Sequence, residues 1–223
     1  MNLKETQNEI VESISSLIEN YETENEFNHH IVHRELGSII VLAKRALNSR
    51  TFHSVDAKFQ SDLYPLLNEA YNKLNYLSKN LYPTTLRYFG LTKALESYSN
   101  EVLEKAIKLY FNDETGFEDK VPFTYIEQLN IYRIHTNIIK CFLISSQFKE
   151  LKITLKKENK ETFSIEFISD KSNTAKSKYS DYNNPTFIMK LNSIKAVLLV
   201  LNGRLNENSD WINFVKIEIP FKK

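Results

Sequence analysis

Apolar side chains recur at helical spacing from residue 9 to about residue 50. Ile10, Ile14, Leu17 and Tyr21 are four, three and four residues apart, which places them on one stripe of a helix. After a polar interval, Val32, Leu36, Ile39, Ala43 and Ala46 resume the rhythm, and Ile31, Ile40 and Leu47 widen the stripe. Leu63, Leu66, Ala70, Leu74, Leu77 and Leu81 predict a second long helix, with residues 51–56 as the connecting turn. A lone hairpin buries too little apolar surface to be stable. The pattern therefore predicts that two copies of the chain pair into a four-helix bundle, a homodimer.

Pro83 closes this region, because its ring removes a donor and disfavours helix at the residue before it. Beyond it the pattern is mixed. Residues 94–105 read as helix, and Ile107, Leu109 and Phe111 alternate with polar residues as a half-buried strand does. Residues 125–145 predict a helix. Leu151, Ile153 and Leu155, then Phe163, Ile165 and Phe167, predict two strands joined by a polar turn. Residues 169–184 read as a polar loop and 186–201 as a helix capped by Asn202-Gly203. Residues 214–219 form a closing strand before Pro220. The expected organisation is an N-terminal helical extension (1–24), a helical hairpin (25–82) and an α/β-sandwich domain (83–223). The fold class is α+β.

Composition narrows the functions open to such a chain. It is 42% hydrophobic and 26% charged with few Gly and Pro, which excludes a disordered chain. A net charge of +1 creates no global field toward nucleic acid or an anionic membrane. The basic residues of 149–160 alternate with Glu and apolar residues, as on a solvated hairpin face. A single cysteine, Cys141, leaves no intrachain disulfide and fits a reducing cytosol. Apolar runs such as 196–201 are far shorter than the roughly 20 residues a membrane helix needs. The expectation is a cytoplasmic protein without membrane insertion.

Two motifs carry a functional resemblance. Ile31-Val32-His33-Arg34-Glu35-Leu36-Gly37-Ser38 resembles the phosphoacceptor helix, Arg-Glu-Leu-His-Asp-x-Leu-Gly, of sensor histidine kinases that act through LuxR-type response regulators. Leu81, Pro83, Leu86, Gly90, Leu91, Ala94 and Leu95 match every fixed position of that family's interdomain signature, Leu-x-Pro-x-x-Leu-x-x-x-Gly-Leu-x-x-Ala-Leu. Tyr132-Arg133-Ile134 resembles the opening of its N-box helix. Leu201-Asn202-Gly203 and Ile217-Glu218-Ile219-Pro220 resemble its C-terminal end. The likeness spans about residues 25–221. It implies a dimerisation and phosphotransfer hairpin, followed by a histidine-kinase-ATPase-like domain.

The same resemblance marks where the chain departs from the family. The N-box Glu and Asn that serve ATP and magnesium align with Asn137 and Cys141, and a thiol is a poor ligand for a hard cation. The Asp-x-Gly loop reads Asp170-Lys171-Ser172, with Asp170 expected to cap a strand end. The Gly-x-Gly-Leu turn reads Ile188-Met189-Lys190-Leu191, and the late Gly-Thr reads Ile212-Asn213. Side chains stand where backbone donors would approach phosphates. The expectation is no cofactor, with the ATP and magnesium site lost.

A chain without ATP that keeps the acceptor is similar in type to the phosphotransferases of sporulation relays. The resemblance implies that His33 takes a phosphoryl group from the receiver domain of a response regulator and passes it to another. Arg34 replaces the acid that usually follows the histidine, and it can pair with a phosphoryl oxygen or an acidic patch. Gly37 is expected to bare the helix surface for docking, or else to serve close helix packing. His30 is a second acceptor or partner-binding candidate, since a rival family with a His-His-Arg motif aligns there. His29 and His33 share metal-pair spacing, with no third ligand evident nearby. His135 reads as structural and Cys141 as a buried, inert thiol. The alternative function is a non-catalytic, pseudokinase-like protein that regulates a response regulator or partner kinase by binding it. A third is a kinase that uses ATP in an unusual way.

Overall fold

The computed structural model describes residues 3–48, 57–103, 107–117, 122–145, 148–170, 184–207 and 214–221. The chain divides into two compact units, Ser16–Thr84 on one side and Thr85–Lys223 with Met1–Ser15 on the other. Residues 51–56, expected as the hairpin turn, lie outside the described residues, as do most of the expected polar loop and Ile212-Asn213.

The first unit takes α1 (Leu3–His30) from Ser16 onward, and this helix runs without a break through a π-helical turn (Ile31–Leu36) into α2 (Gly37–Asn48). The π turn and α2 pack against α3 (Ala57–Leu81). Lys44 fixes this pairing. Its ammonium donates to Asn68 Oδ1 and lies 5.4 Å from the ring centres of both Tyr64 and Tyr71, about two turns apart on α3. The apolar residues of α2 and the end of the π turn divide between two faces. Ile40, Val41 and Ala43 are half-buried, whereas Leu36, Ile39 and Leu42 are exposed, Ile39 by 60% and Leu42 by 62%. On α3, Leu66 and Leu77 are likewise exposed.

The second unit is a sheet with helices on one face, and the protein is α+β. Here α4 (Thr84–Leu103) begins directly after Pro83 and breaks at Gly90, whose φ of 78° and ψ of −179° are open only to glycine. Leu86, Leu91, Ala94 and Leu95 of the interdomain signature are all buried, so these four are packing positions. β1 (Lys108–Glu114) is followed by α5 (Tyr125–Ser145), β2 (Glu150–Asn159), β3 (Thr162–Ser169), α6 (Pro185–Val200), β4 (Arg204–Glu207) and β5 (Phe214–Pro220). The strand order is β1-β2-β3-β5-β4. β1 and β2 pair in parallel, which makes α5 a crossover, and the other pairs are antiparallel.

Alternation in the strands separates two faces. Leu151, Ile153, Leu155, Phe163, Ile165, Phe167, Val215, Ile217 and Ile219 turn inward and are buried. The opposite face carries a charge lattice. Lys216 Nζ lies 2.9 Å from Glu158, 3.0 Å from Glu218 and 3.6 Å from Glu166, and Lys156 lies 2.7 Å from Glu166. Helix ends are locally encoded. Thr124 and Glu127 form a reciprocal capping box at α5, with Thr124 N–H donating to the Glu127 carboxylate at 2.8 Å and Glu127 N–H to Thr124 Oγ1 at 3.3 Å. Asn184 caps α6 by accepting from Thr186 N–H. Gly203 closes α6, its N–H donating to the Leu198 carbonyl, and a Cβ there would meet Leu198 at 2.7 Å and the Glu218 carbonyl at 2.9 Å.

Candidate functional site

The histidine cluster sits where α1 widens into the π turn. Gly37 N–H donates to the Val32 carbonyl, five residues back, which defines that turn. No residue of the turn is buried, and His33, Arg34 and Glu35 are exposed, as is His30. Gly37 itself is buried. A Cβ added at Gly37 would meet only the Val32 carbonyl of its own helix, at 3.7 Å, and no side chain.

His29 ties the cluster to α3. Its ring stacks on that of His33, with centroids 5.5 Å apart and planes 14° from parallel, and tilts against Tyr82 at 5.3 Å. Its Nδ1 lies 2.7 Å from Ser78 Oγ and 3.2 Å from the Ser78 carbonyl oxygen. Ser78 and Tyr82 are buried, while His29 is half-buried. Partial burial lowers the pKa of His29 below the ordinary histidine value; the Ser78 carbonyl opposes this, nearby His33 and His30 add to it, and Glu26 offsets it. Periodicity gave no hint of the Ser78 contact, which joins residues 49 apart in sequence. The spacing of His29 and His33 was the one visible signal.

In the second unit, the positions that the sequence resemblance set against a nucleotide site make contacts of their own. Cys141 is 1% exposed, and burial pushes its thiol up to about 12, with Lys190 acting in the opposite sense. Asn137 Nδ2 reaches Ser193 Oγ at 3.5 Å. Asp170 Oδ1 accepts from the N–H groups of Lys149 at 2.8 Å and Glu150 at 2.9 Å. Those backbone donors, Glu150 foremost, hold its carboxyl below the usual range. Ile188, Met189, Lys190 and Leu191 all lie inside α6, and Ile188 N–H donates to the Asn184 carbonyl at 3.1 Å. Burial also lowers Lys140, and the positive charges of Lys190 and Arg133 add to that effect.

No protein-family model matches the chain, and no curated protein matches it. Among solved structures, it is similar to the histidine kinase domain of the Erythrobacter litoralis EL346 blue-light activated histidine kinase. That match has 12% identity and a TM-score of 0.43, and covers 84% of this chain and 96% of that one. A match to the Acinetobacter baumannii histidine kinase AdeS has 15% identity and a TM-score of 0.40, covering 82% and 96%. The catalytic domain of histidine kinase ThkA matches at 15% identity with a TM-score of 0.39, covering 59% of this chain and 90% of that domain. At these identities and scores the likeness assigns no activity. Among the described residues no helix is long and apolar enough to cross a membrane.

Proposed function

We propose that this chain is a histidine phosphotransferase of a two-component relay, working as a homodimer and without nucleotide. His33 accepts a phosphoryl group from the aspartyl phosphate of a response-regulator receiver domain and donates it to another. An imidazole nitrogen forms the N–P bond, the acyl O–P bond breaks, and the regulator carboxylate is regenerated. The carrying observation is an exposed imidazole at position 33 with an exposed guanidinium beside it at Arg34, which can pair with the transferring phosphoryl oxygens. His30, also exposed, borders the docking surface.

Independence from ATP is supported by the second unit. A buried thiol at Cys141 is unsuited to magnesium, Asp170 Oδ1 accepts from two backbone donors, and the 188–191 backbone is helical. The homodimer is supported by the uncovered apolar faces of α2 and α3, which a second hairpin would bury.

The test is label transfer. The protein is incubated with a ³²P-phosphorylated receiver domain, comparing the native chain with His33→Ala. Label is expected on the native chain and not on the variant. Label that never reaches the protein, or reaches both equally, refutes the transfer role. Retained partner binding and cellular function in His33→Ala would point instead to regulation by occupancy.

A further inference from the structure

We infer that His29 is a positioning residue for His33, held in place by Ser78. This rests on the acceptor reading above and adds to it the group that orients the acceptor ring. An exposed histidine on a helix ordinarily samples several rotamers, and each rotamer lost on the way to reaction slows the attack. His33 does not stand alone. Its ring lies nearly parallel to that of His29 at 5.5 Å, so the His29 face is a wall against which one orientation of His33 is favoured.

The wall is itself fixed from another helix. Ser78 offers the same nitrogen of His29 both a hydroxyl, at 2.7 Å, and a carbonyl oxygen, at 3.2 Å. When Nδ1 carries no proton, the hydroxyl donates to it. When Nδ1 is protonated, it donates to the carbonyl. The anchor therefore holds the ring in either protonation state. Tyr82 backs the ring at 5.3 Å, and the burial of Ser78 and Tyr82 keeps both partners in place. The π turn starts one residue after His30, so the acceptor lies on a widened turn while its wall stays on the regular helix of α1. Ser78 thus links the geometry of the acceptor to the packing of α3.

The full-length protein is tested with phosphoramidate, a small phosphodonor that needs no regulator. The lone pair of the imidazole nitrogen forms the N–P bond, and the donor's P–N bond breaks with its electron pair leaving on ammonia. Phosphohistidine is mapped by mass spectrometry, and its initial rate of formation at position 33 is measured with helicity checked by circular dichroism. His29→Ala is expected to slow labelling about tenfold with helicity retained. His29→Phe, which keeps a stacking face, restores most of the rate. His29→Asn, which keeps a polar atom for Ser78 but no ring, does not. A rate in His29→Ala within about twofold of the native one, or equal rescue by Asn and Phe, overturns the positioning role. A native chain that takes no label at position 33 overturns the acceptor reading and the positioning role together, a pattern distinct from uniform labelling of native and variant.

Discussion

The Ser99 hydroxyl oxygen lies 2.8 Å from Nε2 of His135 and 2.7 Å from the Leu95 carbonyl oxygen. A hydroxyl has one proton. Donating it to the carbonyl leaves Ser99 to accept from Nε2–H, which assigns the neutral tautomer of His135 and leaves Nδ1 a bare acceptor. That Nδ1 is buried without a hydrogen-bond partner. The ring is wholly buried, between Tyr98 and Phe167, and burial lowers its pKa from 6.5 to about 3, opposed only by the Leu95 carbonyl.

This pairing predicts an acid-sensitive fold. Below pH 6.5 the unfolded chain binds a proton at His135 that the folded chain refuses until about pH 3. Stability contributed by the neutral ring is therefore intact above 6.5 and falls by roughly 1.4 kcal/mol per pH unit below it. Between pH 7 and 5 the loss is about 2 kcal/mol. Urea titrations followed by circular dichroism at the two pH values should show it, and His135→Leu should remove most of the difference. An equally steep loss in the variant would place the acid sensitivity elsewhere.

Gly90 predicts a cost of purely backbone origin. A Cβ built there meets nothing within 4 Å, so Gly90→Ala creates no clash. Its dihedral pair nonetheless falls where a side chain strains the main chain, and the substitution should destabilise by about 1–3 kcal/mol. A chemical denaturation midpoint unchanged by Gly90→Ala would contradict this.

On the proposed homodimer, Ile39 and Leu42 belong to the face that a second copy covers. Replacing both by lysine leaves the contact with α3 untouched and places two charges in the interface. Self-association should weaken by about tenfold or more. Light scattering should give twice the chain mass for the native protein and a single-chain mass for the double variant at low micromolar concentration. A native chain that is monomeric at those concentrations would remove the dimer from the reading.

Much of the second unit was legible because its signals are local. The 125–145 helix is bounded by a Thr-x-x-Glu box, and three strands announce themselves by alternation. The signature around Gly90 reads out as buried leucines flanking a glycine-only backbone. β4 was missed because Arg204-Leu205-Asn206-Glu207 holds a single apolar residue. Its strand character comes from pairing with β5, which no local pattern encodes. The π turn was missed for a related reason. A stripe read at constant spacing through residues 31–36 assumes a constant helix. The widened turn shifts the phase, so Val32 ends half-buried while Leu36 and Ile39 end exposed. The histidines were visible as residues, but the tether through Ser78 depends on how α3 lies beside the turn, and sequence spacing is silent on that.

The charge lattice on the open face of the sheet settles a question the apolar face leaves undecided. Ile, Val and Phe repeat along β3 and β5 every second residue, so sliding one strand by two positions would still send oil inward and water outward. One such slide would bring Glu218 opposite Glu166, a like-charged pair, and would carry Lys216 away to Ile168. In the observed alignment Lys216 faces Glu166 with two more carboxylates in reach. Strand alignment is thus proofread by charge on the wet side, where substitution costs little volume but can make two alignments nearly equal.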